Sequence, residues 1–229
     1  MKRIDYRDLG TMEYAACLNL QQGLFDALLE RKRMGGYAPD ESIGTLLLVE
    51  HPAVYTLGKS GKSENLLIPQ AALEALGATF HHTDRGGDIT FHGPGQLVGY
   101  PILDLEQIGI GLRDYIDALE EAAIRTVAHY GITAGRIAGA SGVWLTETIR
   151  PPRKICAIGV RASRFVTMHG FGLNVTTDLA WFSRINPCGF ADRGVTSIEK
   201  EIGTAPSMEE VKSLMTNNLS EILNVKIYK

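Results

Sequence analysis

The chain has 229 residues, 45% hydrophobic and 21% charged, with a net charge of −3 and a pI near 6.1. This is ordinary globular usage, which argues against disorder, a fibrous repeat and the basic footprint of a nucleic-acid-binding protein. No apolar run reaches the roughly 18 residues of a membrane span, and the opening Met1-Lys2-Arg3-Ile4-Asp5-Tyr6-Arg7-Asp8 lacks the apolar stretch of a signal peptide, so no membrane association and a cytoplasmic location are expected.

Along the chain, Tyr14, Cys17, Leu18, Gln21, Phe25 and Leu28 recur at helical spacing after a candidate cap at Thr11 and before Gly35-Gly36, which predicts a helix over 12–33. A buried strand is expected at 44–50, and 54–57 continues or pairs with it. Pro69 opens a short helix to Leu76, and a strand follows at 79–82. Strands at 88–92 and 97–105, joined by Gly93-Pro94-Gly95, read as a hairpin-like unit. Leu112, Tyr115, Ile116, Leu119, Ala123 and Val127 predict a second long helix over 111–130. Short strands are then expected at 132–137, 142–146, 154–160, 165–168 and 171–175. Ser207 and Glu210 form a candidate capping box for a helix over 207–223, and a strand at 225–228 closes the chain. Strands in runs with sparse helices define an α+β class, a mixed, mainly antiparallel sheet with flanking helices, in one domain over 1–229.

Several motifs fail on inspection. Gly58-Lys59-Ser60-Gly61-Lys62-Ser63 would need glycine at position 56, which is Thr56, to be a phosphate loop. Gly93-Pro94-Gly95-Gln96-Leu97-Val98-Gly99 has one residue too many for a dinucleotide fingerprint and is followed by a strand, so no nicotinamide cofactor is expected. The histidines make no ligand spacing, and no metal is expected; His92, beside the glycine turn, and His169 are either substrate contacts or structural hydrogen-bonding residues. Arg31-Lys32-Arg33 suits a helix C-terminus, whereas Arg150, Arg153, Lys154, Arg161 and Arg164 crowd a region that could meet an acidic partner.

The three cysteines are widely spaced with no C-x-x-C, which argues against a disulfide framework and a zinc site. Cys17 falls on the packed face of its helix, and Cys156 lies within a strand, between Ile155 and Ala157, on the same face as Lys154. Cys188, in Pro187-Cys188-Gly189, is on a turn, where a side chain can project into a cleft and neighbouring N–H groups can stabilise an oxyanion. The spacing leaves a catalytic and a structural role for Cys188 equally open. An ammonium about 4 Å from a thiol at an effective dielectric of about 20 attracts the thiolate by roughly 4 kcal/mol. Half of that already brings a thiol from about 8.5 to about 7.

The runs His51-Pro52-Ala53-Val54-Tyr55-Thr56-Leu57-Gly58, Arg85-Gly86-Gly87-Asp88-Ile89-Thr90-Phe91-His92-Gly93-Pro94-Gly95-Gln96-Leu97-Val98-Gly99-Tyr100-Pro101, Ser141-Gly142-Val143-Trp144, Lys154-Ile155-Cys156-Ala157-Ile158-Gly159, His169-Gly170-Phe171-Gly172-Leu173-Asn174 and Pro187-Cys188-Gly189 together resemble the lipoyl(octanoyl) transferase family, over about residues 45–200. The resemblance implies the fold of the biotin and lipoate protein ligase catalytic domains. It implies transfer of an octanoyl or lipoyl group from acyl carrier protein to a lysine of lipoyl domains, including those of 2-oxoacid dehydrogenases and the glycine-cleavage H protein, with no cofactor. By the same resemblance Cys188 is the acyl-thioester nucleophile, Lys154 lowers its pKa, and substrate contacts fall on Arg85, Gly86, Gly87, Asp88, Ile89, Thr90, Phe91 and His92, on Ala157, Ile158 and Gly159, and on Gly170, Phe171 and Gly172. Many relatives carry Ala at the position of Gly172. Two alternatives stand beside it: an ATP-dependent lipoate or biotin ligase, and a non-catalytic regulator that binds carrier protein.

Overall fold

The computed structural model describes residues 1–38, 40–147, 150–186 and 194–228. The two most apolar strands of the sequence lie at the middle of its larger sheet. β2 (Ser42–Glu50), preceded by β1 (Lys2–Thr11) and helix α1 (Tyr14–Arg33), sends Ile43, Leu46 and Leu48 to one face and Leu47 and Val49 to the other. A strand buried on both faces reads as a continuous hydrophobic run, not an alternating one. After β3 (Val54–Leu57), α2 (Gln70–Ala75), β4 (Thr79–His82) and β5 (Ile89–His92), strand β6 (Gln96–Leu103) repeats the pattern with Leu97 and Leu103 on one face and Val98, Tyr100 and Ile102 on the other.

The chain continues through α3 (Leu105–Ile108), α4 (Leu112–Ala128), β7 (Gly135–Ile137), β8 (Ala140–Leu145), β9 (Arg153–Ser163), β10 (Val166–Asn174), β11 (Gly194–Val195), α5 (Ile198–Ile202), α6 (Met208–Ile222) and β12 (Val225–Tyr228). The larger sheet has the order β12-β1-β2-β6-β10-β9-β8-β7, with β11 added beside β9. From β2 to β7 every neighbouring pair is antiparallel, while β12-β1, β1-β2 and β9-β11 are parallel. Helices α4 and α6 cover one face and α1 the other. A small sheet, β4-β3-β5, packs with α2 and the 3-10 turn Leu179–Arg184 around its own core of Tyr55, Leu57, Leu73, Phe91 and Ile185. The class is therefore α+β with a mainly antiparallel sheet, as the pattern of elements implies.

Five details depart from the sequence reading. Thr11 does not cap α1: it pairs with Glu50 as the end of β1, a strand with Ile4 as its one fully buried residue, and the cap position is Glu13. β3 does not join β2, because Pro52, which has no N–H to extend a ladder, intervenes and the chain turns into the small sheet. Nor are β5 and β6 a hairpin: Gly93-Pro94-Gly95 hands the chain from one sheet to the other, with Gly95 at φ +77° and held by Glu50 and by the N–H groups of Val175 and Thr176. The two strands read at 165–168 and 171–175 are one, β10, which runs through His169 at φ +62° because Gln21 Oε1 accepts the His169 N–H at 3.1 Å. Finally, Ser207 makes no side-chain cap, and Glu210, the other half of the candidate box, accepts the Tyr130 hydroxyl at 2.9 Å.

Candidate active site

A cavity of about 540 Å³ lies between the glycine-rich stretch of β9 and β10 and the segment that precedes β5. Glycine allows the two walls to meet: Gly86 N–H donates to Val160 O at 2.9 Å, and a Cβ on Gly159 would stand 2.9 Å from Gly86 O. The Arg85 guanidinium is spent on building this wall, donating from Nη2 to Thr56 O and Asp88 O, each at 2.7 Å, and from Nη1 to Gly86 O at 3.0 Å. Asp88 likewise orients its loop, accepting from Ile89 N–H and from Asn65 Nδ2.

Of the residues singled out in the sequence, Arg85, Gly86, Gly87, Asp88, Ile89, Thr90, His92, Lys154, Ala157, Ile158, Gly159, Gly170, Phe171 and Gly172 all line this cavity. Phe91 does not. Strand alternation turns it into the small-sheet core, where it stacks on Trp181 with ring centroids 5.2 Å apart. Cys188 lies outside the described residues. The described residues on either side of its segment are fixed near the cavity: Asn186 N–H donates to Asn65 O at 2.8 Å, and β11 pairs Gly194 with Arg153 and Val195 with Lys154.

The other two thiols are buried, and both are pushed up to about 12 by desolvation; at Cys156 the Lys154 ammonium pulls the opposite way without overcoming burial. Neither is a thiolate near neutral pH.

The hydrogen bonds of His92, His51 and His169 fix how each ring is oriented. Gln96 Nε2 donates to Phe91 O and Asn174 Oδ1, so its Oε1 accepts the His92 Nδ1–H at 2.6 Å and His92 Nε2 is left as an acceptor. Behind it, His51 donates from Nδ1 to Met12 O at 2.7 Å and accepts the Tyr100 hydroxyl at Nε2 at 2.9 Å. Desolvation lowers His92 to about 3 and His51 to about 4. His169 donates from Nε2 to Asp84 at 2.9 Å, and burial lowers its pKa too.

Sequence reasoning missed Tyr14, Gln96, Tyr100 and Asn174 among the lining residues, and Leu112 and Ile116 at the start of α4. The signal available was the polar Gln96 heading a strand that is otherwise apolar and wholly buried. Arg153, expected among surface cations, is buried and paired through Nη2 with Glu147 at 3.2 Å and Glu201 at 3.0 Å. Among the described residues no group of three or more His, Cys, Asp or Glu is placed to hold a metal, and no helix is long and apolar enough to cross a membrane.

This mixed sheet, with its cavity between a glycine-rich strand pair and a small lateral sheet, is the fold of the lipoate and biotin protein ligase catalytic domains. A bipartite lipoate protein ligase from Thermoplasma acidophilum superposes with a TM-score of 0.69 at 15% identity, covering 100% of this chain and 86% of that one. A biotin protein ligase from Aquifex aeolicus, in complex with biotin and ATP, gives 0.54 at 14% identity, covering 98% and 71%. The model of the lipoyl protein ligase A/B catalytic domain matches residues 13–220, and the chain belongs to that family. Among its relatives, a protein of Bacteroides fragilis named octanoyltransferase is 51% identical over 212 residues, 93% of this chain and 94% of the relative. One of Flavobacterium johnsoniae with the same name is 48% identical over 231 residues, 99% of both. The chain is accordingly an enzyme of the acyltransferase class.

Proposed function

We propose that this chain, as one catalytic domain acting in the cytoplasm, transfers an octanoyl group from acyl carrier protein to a lysine of a lipoyl domain, through a thioester on Cys188. The observation that carries this reading is the position of Lys154: it lines the cavity, and it is the register partner of Val195, which ends the Cys188-bearing segment. The wall of β9 from Lys154 to Val160 extends about 20 Å at roughly 3.3 Å per residue, enough for an extended eight-carbon chain; Ala157 and Gly159 on it present little bulk, and Ile158 adds apolar surface.

In the first half-reaction the Cys188 thiolate attacks the carbonyl carbon of the octanoyl thioester. The tetrahedral oxyanion collapses with expulsion of the carrier's phosphopantetheine thiolate, which takes a proton from the Lys154 ammonium and leaves that amine neutral. In the second, a neutral lysine amine of the acceptor attacks the acyl-enzyme, the C–N bond forms, the Cys188 thiolate leaves, and the amine proton passes to Lys154 or to water. The donor thioester is already activated, so no nucleotide is consumed. Lys154 supports the first step by favouring thiolate over thiol, and the high pKa of Cys17 and Cys156 removes both as rivals. Acceptors by this reading are lipoyl domains of 2-oxoacid dehydrogenases and of the glycine-cleavage H protein. Arg150, exposed, is the candidate to meet an acidic carrier protein, a role that the buried and paired Arg153 does not fit.

The test mixes the chain with octanoyl-carrier protein and a lipoyl domain, with and without ATP. Octanoylation of the acceptor at equal rates in both is the expected result. Strict dependence on ATP with free octanoate would identify a ligase, and binding of carrier protein without transfer would identify a regulator.

A further inference from the structure

Lys154 and Trp144 face one another as register partners in the antiparallel β8-β9 pair. The Lys154 Nζ lies 4.6 Å from the centroid of the indole ring, within the range in which an ammonium is drawn to a π face. The ring is fixed in this pose. Trp144 is 3% exposed, and its Nε1–H donates to Ala140 O at 2.9 Å, which sets the plane of the indole.

The backbone beside it is shaped to suit. Gly142, at φ +115°, has no Cβ; one built there would stand 2.6 Å from Cys156 O and 3.3 Å from Lys154 Cε. Glycine thus admits both the bent strand and the lysine stem. The buried carboxylate of Glu120 reaches the same place, but its oxygens are engaged, one by Gly142 N–H at 2.8 Å and the other by Arg136 Nε at 3.0 Å. An aromatic face draws an ammonium to it without bringing a negative charge of its own.

We propose that Trp144 is a positioning residue, whose indole face holds the Lys154 ammonium at the cavity, and that Gly142 provides the space this requires. The inference rests on the role given to Lys154 above, and its test separates the two. In protein carrying lysine labelled with ¹³C at Cε, with Lys154→Arg used to assign the signal, the Lys154 methylene should be displaced upfield by the indole ring current. Trp144→Leu should abolish that displacement, and Trp144→Phe should retain part of it. Trp144→Leu should also lower kcat for octanoyl transfer about tenfold, in keeping with loss of a desolvated cation–π contact, with KM little changed. It should move the pH profile of Cys188 alkylation upward, with Trp144→Phe intermediate in both.

An unshifted Lys154 signal in the unaltered protein would show that the contact is not made. A displacement lost in Trp144→Leu with the alkylation profile unmoved would reduce Trp144 to a packing residue; either result overturns the proposal. Should Trp144→Leu fail to fold, Trp144→Phe decides, since its ring-current shift and its alkylation profile must move together. Octanoyl transfer that is undiminished in Lys154→Ala would instead sink the role given to Lys154 above, while leaving the contact measured in the unaltered protein in place.

Discussion

Two consecutive cations at the start of β9 are treated in opposite ways. Arg153, pointing toward α5, is clamped by Glu147 and Glu201, and Thr196 donates to the same Glu201 carboxylate, so its charge is cancelled and its work is to fasten β11 to β9. Lys154, on the alternate face, rests on the Trp144 ring and lines the cavity. One strand thus carries a structural cation and, by the function proposed above, a chemical one side by side. The histidines extend the contrast, because His92 and His51 are held neutral by burial and by uncharged hydrogen-bond partners.

The largest effect should separate the two cations directly. Lys154→Ala is expected to raise the pH of half-maximal Cys188 alkylation by about one unit or more while leaving the thermal midpoint of the protein nearly unchanged. Arg153→Ala should do the reverse: stranding Glu201 in a partly buried site costs roughly 3 kcal/mol of stability, measurable by urea unfolding, with little movement of the alkylation profile. If Arg153→Ala shifted the thiol and spared stability, the contrast would be lost.

The histidines sharpen it through acid. Both have folded pKa values below the ordinary 6.5, so between that value and about 4 for His51, or about 3 for His92, the unfolded chain binds the proton that the folded chain refuses. Stability therefore falls as pH drops below about 6.5, each histidine contributing up to about 1.4 kcal/mol per pH unit. Urea midpoints at pH 7, 6 and 5 measure this, and ¹⁵N spectra of the imidazoles should show Nδ1–H tautomers for both down to pH 5. Protonation of either near pH 6 would contradict the burial argument.

The smallest effect concerns Gly172, where a Cβ would stand 2.9 Å from Gln96 Oε1 and 3.4 Å from His92 Cε1. Gly172→Ala should destabilise by about 1 kcal/mol and loosen the His92–Gln96 hydrogen bond. Unchanged imidazole shifts at His92 in that variant would show that the network adapts freely.

How much of this was legible in the sequence depended on whether the determinant was local. The long helices followed from apolar spacing, and β4 and β12 fell where their residues and turns put them. β1 was missed because Ile4 is its one fully buried side chain, so no period shows in Lys2–Thr11. The Gly93-Pro94-Gly95 turn was found, but whether it folds a strand back on its neighbour or passes it to another sheet is set by the distant partners Glu50 and Thr176. The site was readable as segments, since glycines at 86, 159 and 170 mark close backbone approach, yet alternation separates Phe91 from its cavity-lining neighbours Thr90 and His92, and which of the two faces of β5 meets the cavity is set by the packing of the small sheet, which the sequence does not show. The Arg153 clamp was hidden because Glu201 is far along the chain.

The most direct test is the mass of the chain after brief exposure to octanoyl-carrier protein without ATP or acceptor, followed by peptide mapping. The account predicts a single octanoyl group, labile to hydroxylamine, on the peptide containing Cys188, absent from Cys188→Ser and discharged when a lipoyl domain is added. An adduct on Cys156 or Cys17, or none at all with a donor that still supports transfer to the acceptor, would contradict it.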